Sequence, residues 1–526
     1  MTNPAKRPII VNGAGPVGLT MACELARHGV DFRIFDKNAE AATQSRALAI
    51  FPRTLEVFST IGILDEVLAE GQRLVALSLN SDERQLARMS FENIDSPYRF
   101  ALALPQYRTE RILEGRLNTL GGVVERDMEM VTMEQDAECV QAQYRRTVAA
   151  NETVEGSWLL GCDGAHSAAR HLLGVSFQGA QYDEEFLLAD VKVESDLPTD
   201  EGHLYFAKEG VFAYFPFRAG RGRIIADQRP GATHAGAEPT MDEVQEIVRR
   251  RCYHPMQISD PVWKAWFHIS HRIVERYGKG RVFLAGDAAH IHSPAGGQGM
   301  NTGIQDAFNL AWKVALVAQG LATPALLDSY QSERLPVARS VVNLTDRMTR
   351  TATAQHGAIQ HLRNLLVPIL TGIPFVKEAM AERLAEVTID YRGGAWVENH
   401  GFGPVHAGDR APDVVFYDRA ARTEKRLFEL LRTPGFLLLI FEGFEGVNAG
   451  GELLGDLPGN VYRVARPGQE MSPGLLEDRD CEGRTAYGAG EQGLLVLIRP
   501  DGHIGFRGEN SAALSDYIAR LRGSAK

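Results

Sequence analysis

Pro8-Ile9-Ile10-Val11-Asn12-Gly13-Ala14-Gly15-Pro16-Val17-Gly18-Leu19 is the stretch from which the fold of this 526-residue chain can be read. Pro8–Val11 is a short apolar run suited to a buried parallel strand. Gly13 permits a tight turn, Gly15 lets backbone approach a pyrophosphate, and Gly18 lets a helix pack against the strand. Leu19, Ala22, Leu25 and Ala26 recur at helical spacing, and Gly29 ends that helix. Val30, Phe32 and Ile34 then alternate with Asp31 and Arg33 in a second strand that stops at Asp36. The unit is β-loop-α-β in about 30 residues. The helix start, with Pro16 in it, offers N–H donors and a positive dipole end to phosphates. Asp36, followed by Lys37, lies about 20 residues on, where a carboxylate accepts from ribose hydroxyls. The motif reads as a dinucleotide site. By itself it does not separate NAD from FAD, and glycines punctuate purely structural turns as well.

Around this unit the chain has ordinary globular composition, 44% hydrophobic and 23% charged, with a formal net charge of -11. An acidic surface argues against nucleic acid or anionic membrane as the main partner. The cysteines Cys23, Cys139, Cys162, Cys252 and Cys481 are scattered, with no metal-ligand spacing, as expected of thiols in a reducing compartment. Lys6 and Arg7 precede an apolar stretch, but Gly13, Gly15, Pro16 and Gly18 interrupt it, so it reads as a βα unit rather than a signal peptide. Phe436–Phe441 is too short to span a bilayer. The expectation is a cytoplasmic protein.

Two further segments carry chemistry. In Leu159-Leu160-Gly161-Cys162-Asp163-Gly164-Ala165-His166-Ser167-Ala168-Ala169-Arg170 an apolar strand runs into Asp-Gly, and Ser167 is placed to cap a helix. A plain strand-turn-helix explains it equally well. In Gly280–His290 a second apolar strand delivers Gly286 and Asp287 to its carboxyl end, where ligands bind in such sheets. Ser293-Pro294-Ala295-Gly296-Gly297-Gln298-Gly299-Met300-Asn301 then opens a helix. Its free N–H groups suit the negative charge that a reduced flavin carries near N1 and the C2 carbonyl oxygen.

With these three segments in hand, the chain resembles the group A flavoprotein aromatic hydroxylases, which share the para-hydroxybenzoate hydroxylase fold. The glycine loop, Asp163-Gly164 and Gly286-Asp287 with Gly297-Gln298-Gly299-Met300-Asn301 carry the match. Arg46, Pro52–Glu56, Tyr330, Glu333, Arg334 and Pro336 also look like this family, and the match spans about residues 8 to 345. One departure is Ala169, where the Asp-Gly motif often has Val. Ala407–Asp413 and Arg499-Pro500-Asp501-Gly502 resemble the phenol hydroxylase branch, which ends in a thioredoxin-like domain. With only Cys481 in this tail, dithiol chemistry is excluded, and a structural or dimer-contact role is expected.

The fold class expected is α/β: a Rossmann-like FAD domain (1–180 and 271–400), an inserted β-sheet substrate domain (181–270), and a thioredoxin-like domain (401–526). Residues 72–104 are expected to be shared with the substrate domain. The resemblance implies FAD as cofactor, NADH or NADPH as transient reductant, and O2 as co-substrate. It implies hydroxylation of a phenol or other electron-rich aromatic ring through a flavin C4a-hydroperoxide. Asp36 would hold the adenosine ribose, and Asp287 the ribityl or diphosphate region. Arg46 and Gln106 would sit near the diphosphate and ribityl chain. Asp163 would lie towards the pyridine nucleotide approach. Pro294, Gly297, Gly299, Met300 and Asn301 would line the isoalloxazine. Catalytic help in removing the phenol proton is expected from the middle sheet, with His203, Tyr205 and Tyr214 as first candidates and Asp227 and Arg223 behind them. Each has ordinary sheet packing as its alternative reading. A reductase on the same fold and a non-enzymatic flavin scaffold are the rival functions.

Overall fold

The computed structural model describes residues 7–44, 47–81, 84–147, 150–228, 237–293, 296–353, 374–419, 421–441, 451–466 and 475–524. Arg46 and Pro294 lie outside the described residues. Among these residues the N-terminal motif forms a strand, Ile9–Asn12, and a helix, Pro16–Arg27, with proline in the first turn, where no backbone N–H is missed.

Ile9–Asn12 pairs in parallel with Phe32–Phe35 on one side and Leu159–Gly161 on the other. Leu159–Gly161 pairs in parallel with Val282–Leu284. These strands are the centre of a six-stranded sheet bounded by Gly278–Lys279 and Val124–Glu125. Ile9–Asn12, Leu159–Gly161 and Val282–Leu284 are mostly apolar because both faces are covered, while Phe32–Phe35 keeps the half-buried Arg33. The consequence for function is positional: Gly13, Cys162-Asp163 and Gly286-Asp287 follow three neighbouring strands at one sheet edge.

A second, eight-stranded sheet runs in the order His290–Ile291, Met256–Val274, Phe177–Ser195, Arg221–Gln228, Gly210–Phe217, Glu201–Ala207, Ala76–Ser81 and Arg84–Ser90. The last two strands come from the stretch 72–104, and Ala76–Ser81 joins Glu201–Ala207 in parallel. One face is covered by the helix Met241–Arg251. The sequence reading took 181–270 as strands and turns, so this helix is a correction. Its signal was present, because Thr240 and Glu243 form a reciprocal capping box.

The C-terminal part contains another eight-stranded sheet. Its centre runs Ile504–Gly508, Leu494–Ile498, Phe436–Phe441, Gly459–Ala465, with only the last pair parallel, and a helix, Ser511–Arg522, closes the chain. Between the two parts lie the helices Gly299–Ala318 and Asp328–Thr353. Among the described residues no helix is long and apolar enough to cross a membrane.

Candidate functional site

The glycine loop is shaped by what a side chain would strike. Gly13 has φ +104°, and a Cβ there would lie 2.4 Å from the Cys162 carbonyl oxygen. A Cβ on Gly18 would lie 1.8 Å from the Gly13 carbonyl oxygen. Gly15 differs: a Cβ there meets nothing within 4 Å. The space before Gly15 is open, and the helix start behind it carries no side-chain cap. An uncapped helix N-terminus beside open space fits a diphosphate.

Asp36 closes the loop from the next strand. Its Oδ2 accepts the Ala14 N–H at 2.8 Å and its Oδ1 accepts the Asn38 N–H at 2.8 Å. Asp36, Lys37, Asn12, Gly13, Gly15 and Asp163 line a cavity of about 250 Å³. That is a little below a whole ligand pocket (roughly 300–1,000 Å³) and suits one end of a dinucleotide. Asp163 accepts from Asn12 Nδ2 at 2.9 Å and from the Ala169 N–H at 3.1 Å, and burial pushes its carboxyl up. Ser167 caps the following helix by accepting the Arg170 N–H at 2.9 Å.

At the third strand end, Gly286 has φ +60° and Asp287 is the exposed residue of a turn whose neighbours are buried. The turn is held from behind. Asp306 Oδ2 accepts the Gly286 N–H at 3.2 Å and lies 2.7 Å from His290 Nε2. Burial raises the Asp306 carboxyl, but Arg334 and His290 more than offset this and hold it below the usual range. Tyr330 donates to the Leu284 carbonyl at 2.8 Å. Arg334 and Tyr330, read from sequence only as family-like, are thus supports of this strand and turn.

Gly296 and Gly297 both have positive φ and lead into the helix Gly299–Ala318, whose first turn has no side-chain cap. Met300 and Asn301 are buried. Asn301 uses its whole amide on protein: Oδ1 accepts the Phe51 N–H at 2.9 Å, and Nδ2 donates to the carbonyls of Ala49 at 2.9 Å and Gly297 at 3.0 Å. It pins the loop to the Ala49–Phe51 segment. Gln106 is fixed nearby, donating its backbone N–H to Ala47 and its Nε2 to Glu110 Oε1 at 2.8 Å.

The middle-sheet candidates fall elsewhere. His203, Tyr205 and Tyr214 all pack in the cluster under the helix Met241–Arg251, or against it. His203 stacks on Tyr214 with ring centres 6.1 Å apart, and its Nε2 lies 3.3 Å from the Pro198 carbonyl. Burial pushes the Tyr214 phenol up to about 12, raises Tyr205 further, and lowers His203. Residues on the same strands one position away face the other side. Leu204, Phe206, Phe215 and Phe217 pack against Phe51, Leu74 and Leu384, beside the Gly296–Asn301 loop. Tyr205 and Tyr214 thus lie on the helix-covered face, because successive residues of a strand point to opposite faces.

Arg223 lies directly opposite Phe215 and so shares its face. It is buried, donating from Nε to Asp190 Oδ1 at 2.7 Å and from a terminal nitrogen to Oδ2 at 2.8 Å. Trp263 Nε1 donates to the same carboxylate at 3.1 Å. Asp227 is bound by Arg251 at 2.8 Å and by the Val211 N–H at 2.6 Å.

The chain is similar to known proteins over nearly its whole length. The family described as FAD binding domain matches residues 6–345. The chain is 35% identical to a 6-methylpretetramide 4-monooxygenase of Streptomyces rimosus, over 98% of this chain and 93% of that protein. It is 31% identical to a pentachlorophenol 4-monooxygenase of Sphingobium chlorophenolicum, over 95% and 93%. Among solved structures, the anhydrotetracycline hydroxylase OxyS from Streptomyces rimosus superimposes with a TM-score of 0.79 at 28% identity, covering 99% of each chain.

Proposed function

The chain belongs to the FAD binding domain family and is a group A flavoprotein aromatic hydroxylase; from that premise we propose that its substrate is a polycyclic phenol, hydroxylated with NAD(P)H and O2. Bound FAD supplies the hydride acceptance and oxygen activation. The chain's own residues position it. The uncapped helix start at Gly15 and Pro16, with Gly13 and Gly18 shaping the loop, receives the diphosphate, and Asp36 and Lys37 flank the adenosine ribose. Gln106, Gly286 and Asp287 are assigned to the diphosphate and ribityl chain, and Asp163 to the boundary between the FAD site and the pyridine nucleotide approach. Gly297, Gly299, Met300 and Asn301 border the isoalloxazine, with the free N–H groups of the Gly299 helix start facing charge on the reduced ring.

The single observation that carries this reading is the adjacency of the three strand ends at Gly13, Asp163 and Gly286-Asp287. The substrate class is supported by the apolar face of the middle sheet beside the Gly296–Asn301 loop. Leu204, Phe206, Phe215, Phe217, Phe51 and Leu384 form a broad apolar wall that excludes water and fits fused rings. Two of the relatives are named for 6-methylpretetramide and anhydrotetracycline. Arg223 shares that face, with its charge paired to Asp190.

Residues 1–180 with 271–400, 181–270 and 401–526 are proposed as the three domains. The strand order of the last supports a thioredoxin-like assignment. We also propose a homodimer and, from five unpaired cysteines, a cytoplasmic location. The test is a panel of monocyclic and polycyclic phenols. Polycyclic members are expected to stimulate NAD(P)H oxidation and to gain one oxygen atom by mass. Stimulation by monocyclic phenols alone overturns the substrate class. NAD(P)H consumption without oxygen incorporation, and with no C4a-adduct when the reduced enzyme meets substrate and O2, identifies a reductase instead.

A further inference from the structure

The turn Arg499–His503 of the C-terminal sheet does not face solvent. It is driven into the back of the helix Gly299–Ala318, the helix whose first turn faces the flavin site. Arg499, Asp501 and His503 are all buried there. Arg499 forks onto Glu333, with both terminal nitrogens 2.8 Å from its carboxylate oxygens. The same Glu333 accepts from Asn309 Nδ2 at 2.7 Å and Lys313 Nζ at 2.7 Å. Asp501 Oδ2 accepts from Asn309 at 3.1 Å and Trp312 Nε1 at 3.2 Å. Two cations and two anions therefore close on one helical face without solvent.

Such a cluster is a poor way to gain stability, because burying four charges costs several kcal/mol per ion before pairing offsets it. Its better-attested use is to fix register. An apolar contact tolerates sliding, whereas Asn309, Trp312 and Lys313 satisfy Asp501 and Glu333 in one axial position only. The junction is also close-packed: the void among Arg53, Gln305, Asn309, Tyr391, Asp501 and His503 is about 10 Å³. A shift on one side is transmitted to the other.

What is transmitted can be followed. Arg334, next to Glu333, donates to the Thr302 carbonyl at 3.1 Å and to Asp306 at 2.7 Å, and Asp306 holds the Gly286 N–H. Arg334 also donates to Tyr391, whose ring lies 4.2 Å from that of His503. Arg53 donates to the Asp501 carbonyl at 2.6 Å, two residues from Phe51, which Asn301 pins.

We propose that Arg499 and Asp501 are positioning residues for the flavin: the C-terminal hairpin sets the register of the helix Gly299–Ala318, and with it FAD affinity and flavin reduction potential. This rests on the FAD-site reading above. The test uses the full-length holoenzyme and compares Asp501→Asn and Trp312→Phe with Leu439→Ala, a core substitution on the far face of the same sheet. The FAD dissociation constant and flavin reduction potential are measured beside the melting temperature. The junction variants are expected to weaken FAD binding by at least about tenfold and to shift the potential. Leu439→Ala is expected to lower the melting temperature alone. If the junction variants also change only the melting temperature, the proposal is overturned. Should Asp501→Asn not fold, Trp312→Phe, which removes one donor and no charge, decides. Wild-type protein that takes up no FAD would instead overturn the reading beneath.

Discussion

Arg334 donates from Nε to Asp306 Oδ1 at 2.7 Å, and both side chains are wholly buried. The other oxygen of that carboxylate supports the Gly286–Asp287 turn. Asp306→Asn leaves a buried guanidinium without its counter-charge, a loss of about 3–5 kcal/mol. Urea denaturation should show a lower midpoint, and the purified protein should retain less FAD. A midpoint equal to wild type would show that the pair is dispensable.

The glycine loop separates folding from binding. Gly15→Ala places its methyl group in open space, so the apoprotein should melt as wild type does while FAD affinity falls by roughly tenfold or more. Gly18→Ala drives the methyl into the Gly13 carbonyl, so the apoprotein itself should be destabilised. Calorimetry of the two apoproteins checks this. Equal melting of both would refute the steric distinction.

Glu386 gives a pH dependence. Burial pushes its carboxyl from 4.5 up to about 8, against Arg334 and the hydrogen bonds of Thr302 and Gln305. Between those two values the folded chain keeps a proton that the unfolded chain has released. Its contribution to stability is therefore complete below the lower value and is lost as pH rises to the upper one. Glu386→Gln removes the titration and should flatten the fall in melting temperature across that window. Parallel melting profiles for the two proteins would be incompatible with it.

The sheet-face assignment makes opposite forecasts for neighbours. Tyr214→Phe should leave turnover and its pH profile unchanged, because Tyr214 faces the helix Met241–Arg251. Phe215→Ala should raise KM for a polycyclic phenol about tenfold or more, since Phe215 belongs to the apolar wall. Steady-state kinetics of both variants decide, and a reversed pattern would place the substrate on the other face.

Much of this was legible in the residues. Strand ends at Gly13, Asp163 and Gly286 are set by apolar runs broken by glycine, and their adjacency follows from parallel pairing. The helix from Gly299 announces itself by glycines before an apolar face. The direction of His203, Tyr205 and Tyr214 was not legible, because both faces of that sheet are buried and alternation alone does not say which one a helix covers. Asp306 was missed for a related reason. It sits mid-helix with no motif to mark it, and its value arises only where Arg334, His290 and Gly286 meet it in space.

Val17 carries a consequence for biosynthesis. Its side chain fills the gap beside Gly286 and Gly303, each of whose Cβ would lie 2.7 Å from its Cγ2. The ribosome releases the glycine loop first and these partners far later. At about 5–20 residues per second the interval is roughly ten seconds to a minute. Through that time the nascent N-terminal strand and helix have an apolar flank with nothing native to cover it. The site that takes the cofactor is therefore complete only after Gly286 and Gly303 have emerged, late in the synthesis of each new chain.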